Sequence, residues 1–142
     1  MPKRVTPPEA AELLKDGWSY LDVRSIPEFD QGHPSGAANV PLLHQQAGRM
    51  IPNPAFADVV NANFAKDAKL VIGCKVGGRS LQAATLLEAA GYTNVIDVRG
   101  GFSGERDMFG RVVTPGWADA GLPVSTKPDV GKSYAELEAK KA

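Results

Sequence analysis

The stretch from Lys69 to Ser80 (Lys-Leu-Val-Ile-Gly-Cys-Lys-Val-Gly-Gly-Arg-Ser) constrains this chain more than any other. Leu70 to Ile72 is a short apolar, β-branched run, the pattern of a buried strand. It leads at once into Cys74, the only cysteine, followed by the glycine pair Gly77-Gly78 and by Arg79. Leu81 to Ala90 then has the composition of a helix, closed by Gly91. Strand, tight loop and helix in immediate succession aim backbone N–H groups at a common point, a device for holding an anion. The anion here would be the thiolate of Cys74, and the rest of the chain reads as the frame of this loop.

In chain order, Thr6-Pro7-Pro8-Glu9 has the capping threonine, early proline and glutamate of a helix start, and Asp16-Gly17 ends that helix. Trp18 to Val23 reads as a strand. Ser25 and Glu28 repeat the capping pattern ahead of a short helix broken by Gly32. A turn from His33 to Ala37 feeds a brief strand around Ala38 to Val40. Pro52-Asn53-Pro54 opens another helix through Phe64, with Asn53 as the expected cap. Tyr92 to Val98 is a final strand, ended by Arg99-Gly100-Gly101-Phe102. Ser103 to Gly116 has no clear period and reads as a loop; Trp117 and Leu122 should fold back onto the core. From Ser125 to Ala142 the chain turns polar, a tail expected to be partly helical (Ser133 to Glu136 is another capping pattern) or disordered.

Strands alternating with helices predict an α/β domain over residues 1–124, a parallel central sheet with helices on both faces. Sites in such sheets form beyond the carboxyl ends of the strands. Cys74, Asp22 and Gly100 all fall at or just after strand ends, so they should gather on one edge.

Composition narrows the function. With 142 residues, 43% hydrophobic and 23% charged, the chain suits one soluble domain. Its formal net charge of zero provides no global field for nucleic acid or an anionic membrane, so neither is expected as a partner. One cysteine excludes an internal disulfide, and with two scattered histidines it argues against a zinc site. No cofactor is called for. The first residues lack the apolar core of a signal peptide, and the expected compartment is the cytoplasm, where a lone thiol stays reduced.

The loop also sets the chemistry. A free thiol titrates near pH ~8.5, and a helix N-terminus with nearby cations lowers that value. The amides of Lys75, Val76, Gly77, Gly78 and Arg79 can surround the sulfur, and Lys75 and Arg79 add positive charge. Such a site suits nucleophilic chemistry on sulfur or phosphorus. His33 lies in a Gly-His-Pro turn and His44 in a polar loop, and neither signals a Cys–His pair.

Four motifs in order make the chain resemble a single-domain rhodanese, a sulfurtransferase. They are Leu21-Asp22-Val23-Arg24 with Glu28-Phe29, Gly32-His33 with Gly36 to Pro41, Cys74 to Arg79, and Gly91-Tyr92 with Val95 to Phe102. The resemblance covers roughly Val5 to Val124 and implies a rhodanese-like fold. It further implies transfer of a sulfane sulfur from a small donor such as thiosulfate to a thiol or cyanide, through a Cys74 persulfide. A thioredoxin- or glutathione-type thiol would be the cellular acceptor. By position, the amides of Lys75 to Arg79 cradle the outer sulfur and the Lys75 and Arg79 side chains hold the anionic donor. Asp22 and Arg24 match a structural Asp-x-Arg that supports the loop, while His33 and Asn39 match a turn motif concerned with packing. Phosphatases and arsenate reductases of the same fold have a loop one residue longer, and the six-residue form from Cys74 to Arg79 favours sulfur. A persulfide carrier serving one protein partner is the alternative outside enzyme catalysis.

Two features depart from the resemblance. Where some thiosulfate-using relatives have a donor-binding arginine, this chain has Glu28, which would repel an anion if it faced the pocket. Many relatives also run from Gly-Gly-Phe almost directly to a tryptophan. Here Ser103 to Gly116 intervenes, and the expectation is that Arg106, Phe109 and Arg111 border the mouth of the site.

Overall fold

Apolar residues on both faces of each central strand set the architecture. The computed structural model describes residues 2–141. Its central sheet has five parallel strands: β1 (Lys3–Val5), β2 (Ser19–Asp22), β3 (Ala38–Asn39), β4 (Leu70–Gly73) and β5 (Val95–Val98). Their order across the sheet is β1-β5-β4-β2-β3, with Leu21 opposite Ile72 and Ile72 opposite Asp97. Because side chains alternate along a strand, each one serves two layers. Leu21, Leu70, Ile72 and Val95 pack on one face; Tyr20, Val71, Ile96 and Val98 pack on the other.

Helices cover both layers, as the alternating pattern predicts. On the first face lie α3 (Phe56–Asn63), α4 (Gly78–Ala89) and α5 (Tyr134–Glu138), which bury Val59 and Val60, Ala83, Ala84 and Leu87, and Tyr134 and Leu137. On the second lie α1 (Pro7–Lys15) and α2 (Ile26–Gln31), through Ala10 and Phe29, together with Trp117. Trp117 packs edge-on against Tyr20 at 5.5 Å between ring centroids and donates Nε1–H to the Pro123 carbonyl at 2.7 Å. The capping boxes of α1 (Thr6 and Glu9) and α2 (Ser25 and Glu28) form as read.

The structure differs from the sequence reading at several places, beginning with β1, a strand that the reading did not expect. The cap of α3 is Ala55, because Asn53 Oδ1 accepts the Ala55 N–H at 3.0 Å in a turn ahead of the helix. The Asn53 amide meanwhile donates to the Pro41 carbonyl and the Tyr134 hydroxyl. The segment around His44 is an antiparallel hairpin, Leu43–Gln46 with Arg49–Pro52, turned through Ala47 and Gly48. Ser103 to Gly116 is likewise not a plain loop: Glu105–Arg106 pairs with Val112–Thr114. Asp107 closes its tip by accepting the backbone N–H groups of Phe109 and Arg111 at 2.9 and 3.0 Å. Of the two alternatives for the polar tail, the partly helical one is found: after Val124–Ser125 pairs with His33–Pro34, the chain ends in α5, capped by Ser133 and anchored in the core by Tyr134 and Leu137.

Candidate active site

All five strands run the same way, so Asp22, Gly73 and Val98 end on one edge of the sheet, and Cys74 leaves β4 there. Cys74 is 1% exposed. Four residues later α4 begins, and the turn between them runs through Gly77 at φ +116°. That left-handed backbone favours glycine, and a side chain there would also press on Arg4 Nη2. Its reward is one hydrogen bond: the Gly77 N–H donates to Cys74 Sγ at 3.1 Å.

A second turn braces the loop from outside. The Phe102 N–H donates to the Cys74 carbonyl and the Ser103 N–H to the Lys75 carbonyl, each at 2.8 Å. A trans peptide points its N–H opposite to its C=O, so the Lys75 and Val76 amides face away from this turn. Gly101 makes the contact possible, since a Cβ there would overlap the Cys74 carbonyl oxygen. The Gly-Gly-Phe sequence after β5 thus exists to let one backbone lie on another.

Two ion pairs flank the loop. Arg24 binds Asp22 through Nε and Nη2, the latter at 2.8 Å, and also donates to the Gly32 carbonyl at 2.6 Å. Both side chains are buried, the guanidinium lies 4.5 Å from the Phe102 ring centroid, and the Asn39 amide ties the Asp22 and Arg24 carbonyls together. Asp22 and Arg24 therefore join the edge of β2 to the Gly101–Phe102 turn that braces the loop. The second pair is Arg79 with Glu28, bidentate at 2.7 and 3.0 Å and about four-fifths buried on each side. Burial pushes the Glu28 carboxyl up, but the bonds from Arg79 and Ser25 outweigh it and bring the pKa down to about 2. The Arg79 guanidinium is thus occupied by Glu28, whereas the sequence reading assigns it to the donor.

A cavity of about 230 Å³ opens beside the loop, walled by Arg24, Glu28, Gln31, Lys75, Phe102 and Ser103. Cys74 is not on its wall. Lys75 and Val76 are exposed, and the hairpin carrying Arg106, Phe109 and Arg111 leaves the same edge, with Arg106 beside Lys75 and Val76 along a second hollow. His33 is buried: its ring stacks on Phe29 at 3.7 Å and Nδ1 meets the Phe29 carbonyl at 2.8 Å. His44 lies on the 43–52 hairpin against Tyr134.

The sulfur has a second polar neighbour that the sequence reading missed, the hydroxyl of Ser80 at 3.4 Å. Ser80 leads on to Asp97 and Arg4. The signal for Asp97 was present as a carboxylate within the otherwise apolar Val95-Ile96-Asp97-Val98, where an unpaired charge is costly. Arg4 gave no local signal, because β1 and β5 meet only through pairing across the sheet.

A cysteine at the carboxyl edge of a parallel sheet, with the Gly77 N–H of the following turn on its sulfur, agrees with the comparison with known families, in which the rhodanese-like domain matches residues 6–106. The chain belongs to the rhodanese-like family. It is similar to thiosulfate sulfurtransferase 16, chloroplastic, of Arabidopsis thaliana, 41% identical over 123 residues that span 87% of this chain and 92% of the relative. It is also similar to the senescence-associated protein DIN1 of Raphanus sativus, 45% identical over 93 residues, 66% of this chain and 51% of that protein. Among solved structures, that of Rv0390 from M. tuberculosis superposes with a TM-score of 0.74 at 27% identity, covering 88% of this chain and 98% of that one. The Asp22–Arg24 support and the cysteine loop are read from the sequence; that the Gly101–Phe102 turn braces the loop is visible only in the structure.

Proposed function

We propose that this rhodanese-like chain is a sulfurtransferase that carries a sulfane sulfur as a Cys74 persulfide. The observation that carries the reading is the Gly77 N–H on Cys74 Sγ, within the six-residue loop from Cys74 to Arg79. In the first half-reaction the Cys74 thiolate attacks the outer sulfur of a small donor such as thiosulfate. The new S–S bond forms as the donor's S–S bond breaks, and sulfite leaves with the bonding electron pair. In the second, an acceptor thiolate or cyanide takes the outer sulfur, and Cys74 leaves as thiolate. The two steps share one covalent intermediate, so ping-pong kinetics are expected. The amides of Lys75 to Arg79 serve the anionic outer sulfur, and Lys75 guides the donor from the cavity.

Pairing of Glu28 with Arg79 removes a cation from donor capture, which favours a high KM for thiosulfate. A thioredoxin- or glutathione-type thiol in the cytoplasm fits the second half-reaction. The test is intact mass after incubation with thiosulfate, 3-mercaptopyruvate or a phosphatase substrate. One sulfur gained, lost on reduction and absent in Cys74→Ala is the expected result. No gain from any sulfur donor, or turnover of the phosphate ester, overturns the reading. Slow transfer to small thiols with fast transfer to a protein thiol would make the chain a carrier for that partner.

A further inference from the structure

Behind the cysteine loop lies a carboxylate that the two half-reactions leave idle. Asp97 is the third residue of β5, and none of it reaches solvent. A charge buried in this way is costly unless it is paired. Its two oxygens have different partners. Oδ2 accepts from Arg4 Nε at 2.7 Å, and Oδ1 accepts from the Ser80 hydroxyl at 2.5 Å, in the range of a charge-assisted bond. Ser80 is equally buried, and its oxygen accepts from the Cys74 thiol at 3.4 Å. Ser80 Oγ also lies 3.3 Å from the Gly77 carbonyl oxygen, but its much shorter bond is to the carboxylate, so the donors run from S–H to Ser80 and from Ser80 to Asp97. On its other side the sulfur takes the Gly77 N–H.

A cysteine that attacks as a thiolate must lose a proton, and neither histidine can take it. The His33 ring is stacked on Phe29 of α2 with Nδ1 on the Phe29 carbonyl, and His44 lies on the 43–52 hairpin against Tyr134; neither has a hydrogen bond to the sulfur. We propose that Asp97, acting through Ser80, is the base that receives the Cys74 proton as the sulfur attacks. The S–H bond breaks as Ser80 Oγ takes that hydrogen and passes its own to Asp97 Oδ1. What remains is a thiolate held by the Gly77 N–H and a neutral carboxylic acid, with the net charge of the cluster unchanged. The proton returns by the same path when Cys74 becomes the leaving group.

The surroundings support this direction. Burial raises the affinity of Asp97 for a proton, against the opposing pull of Ser80 and Arg4. Arg4, from β1, holds Asp97 and lies under Gly77, so it is a positioning residue beneath the loop. From β2, Tyr20 fills the space a side chain at Gly73 would need. Burial first, and then Asp22, hold its phenol neutral. The Asp22–Arg24 pair at the end of β2 and the Arg79–Glu28 pair from α4 are each internally neutral. Among the described residues, Asp97 is the carboxylate linked to the sulfur by hydrogen bonds.

The relay rests on Cys74 being the nucleophile, and it can be tested with no sulfur donor present. The measurement is the rate of Cys74 alkylation by iodoacetamide against pH, in the natural protein, Ser80→Ala, Asp97→Asn and the double variant. Each single change is expected to slow alkylation about 100-fold at neutral pH, the scale of general-base assistance. The double variant should be no slower than the slower single, and all four rates should converge at alkaline pH, where hydroxide replaces the relay. Charge alone predicts the opposite sign for Asp97→Asn, since losing a nearby negative charge favours the thiolate. The relay is overturned if Asp97→Asn reacts as fast as the natural protein or faster, if Ser80→Ala changes nothing, or if the two effects multiply. A natural protein that reacts no faster than an ordinary thiol overturns it as well. Near-ultraviolet circular dichroism of Trp18 and Trp117 monitors folding. Ser80→Ala keeps the Arg4–Asp97 pair and decides the matter if Asp97→Asn does not fold. Sulfur loading from thiosulfate is measured separately, so failure of the transfer reading shows there while the relay is judged here.

Discussion

Replacing Glu28 with glutamine should separate the stability role of this side chain from its effect on the site. The carboxylate takes two bonds from Arg79 and also accepts from the Ser25 hydroxyl and backbone N–H, which form the N-cap of α2. Its pKa falls from 4.5 to about 2 on folding, because these bonds outweigh the opposing effect of burial. At about 1.4 kcal/mol per pH unit, that depression sets a ceiling of about 3 kcal/mol on the stability held by the ionised carboxylate. The pair retains some solvent contact, 18% and 19% of the two side chains, so screening reduces the expected value to about 1–2 kcal/mol at neutral pH. The sign follows from the depressed value. The contribution is fully present above the unfolded carboxyl's pKa and is lost as pH falls from about 4.5 toward about 2. Urea unfolding of the natural protein and Glu28→Gln at neutral pH, and again near pH ~3, should therefore show a gap that shrinks by more than half in acid. The same variant removes the charge that holds the Arg79 guanidinium and the negative charge on the cavity wall, so its KM for thiosulfate should fall several-fold. A stability gap unchanged between the two pH values would refute the assigned role of the ion pair. An unchanged KM would refute the claim that Glu28 withholds Arg79 from the donor.

Other perturbations probe the frame. Gly101→Ala must push a Cβ into the Cys74 carbonyl, so it should cost about 2–4 kcal/mol in urea unfolding and slow sulfur loading together. Leu137→Ala should cost about 2–4 kcal/mol, since Leu137 is 3% exposed and packs α5 into the core. A loss below about 0.5 kcal/mol would mean that the tail does not dock. Replacing 105–114 with a two-residue connection should change stability by less than about 1 kcal/mol, because Met108 and Phe109 at the tip are 90% and 75% exposed. It should nevertheless alter the ranking of sulfur donors, and identical kinetics across several donors would show that the hairpin plays no part at the mouth.

Local chemistry made much of this molecule legible. Thr6 with Glu9 and Ser25 with Glu28 are separated by three residues, and capping boxes formed at both places because their bonds are made within one turn. The apolar run before Cys74 and the glycines after it placed the loop for the same reason. Where the reading failed, the deciding partner was remote or the strand was short and exposed. Asn53 looked like a cap by spacing, but its amide is committed to Pro41 and Tyr134, and the helix starts later. The two hairpins have short strands with many exposed residues, so no alternation marks them, and pairing alone creates them.

The sequence by itself determined that a single cysteine would sit at the carboxyl edge of a parallel sheet, in a glycine-containing turn ahead of a helix, since strand, glycines and helix are contiguous. Tertiary structure alone decided what surrounds the sulfur. Glu28 and Arg79 are 51 residues apart and Arg4 and Asp97 are 93 apart, yet each pair is hydrogen-bonded. Parallel strands join residues far apart in the chain, and no short-range pattern records which charges will meet. The pairing with Glu28 occupies Arg79, a cation of the loop, and the register of β1, β4 and β5 brings the Asp97 carboxylate and Arg4 close to Cys74 through Ser80.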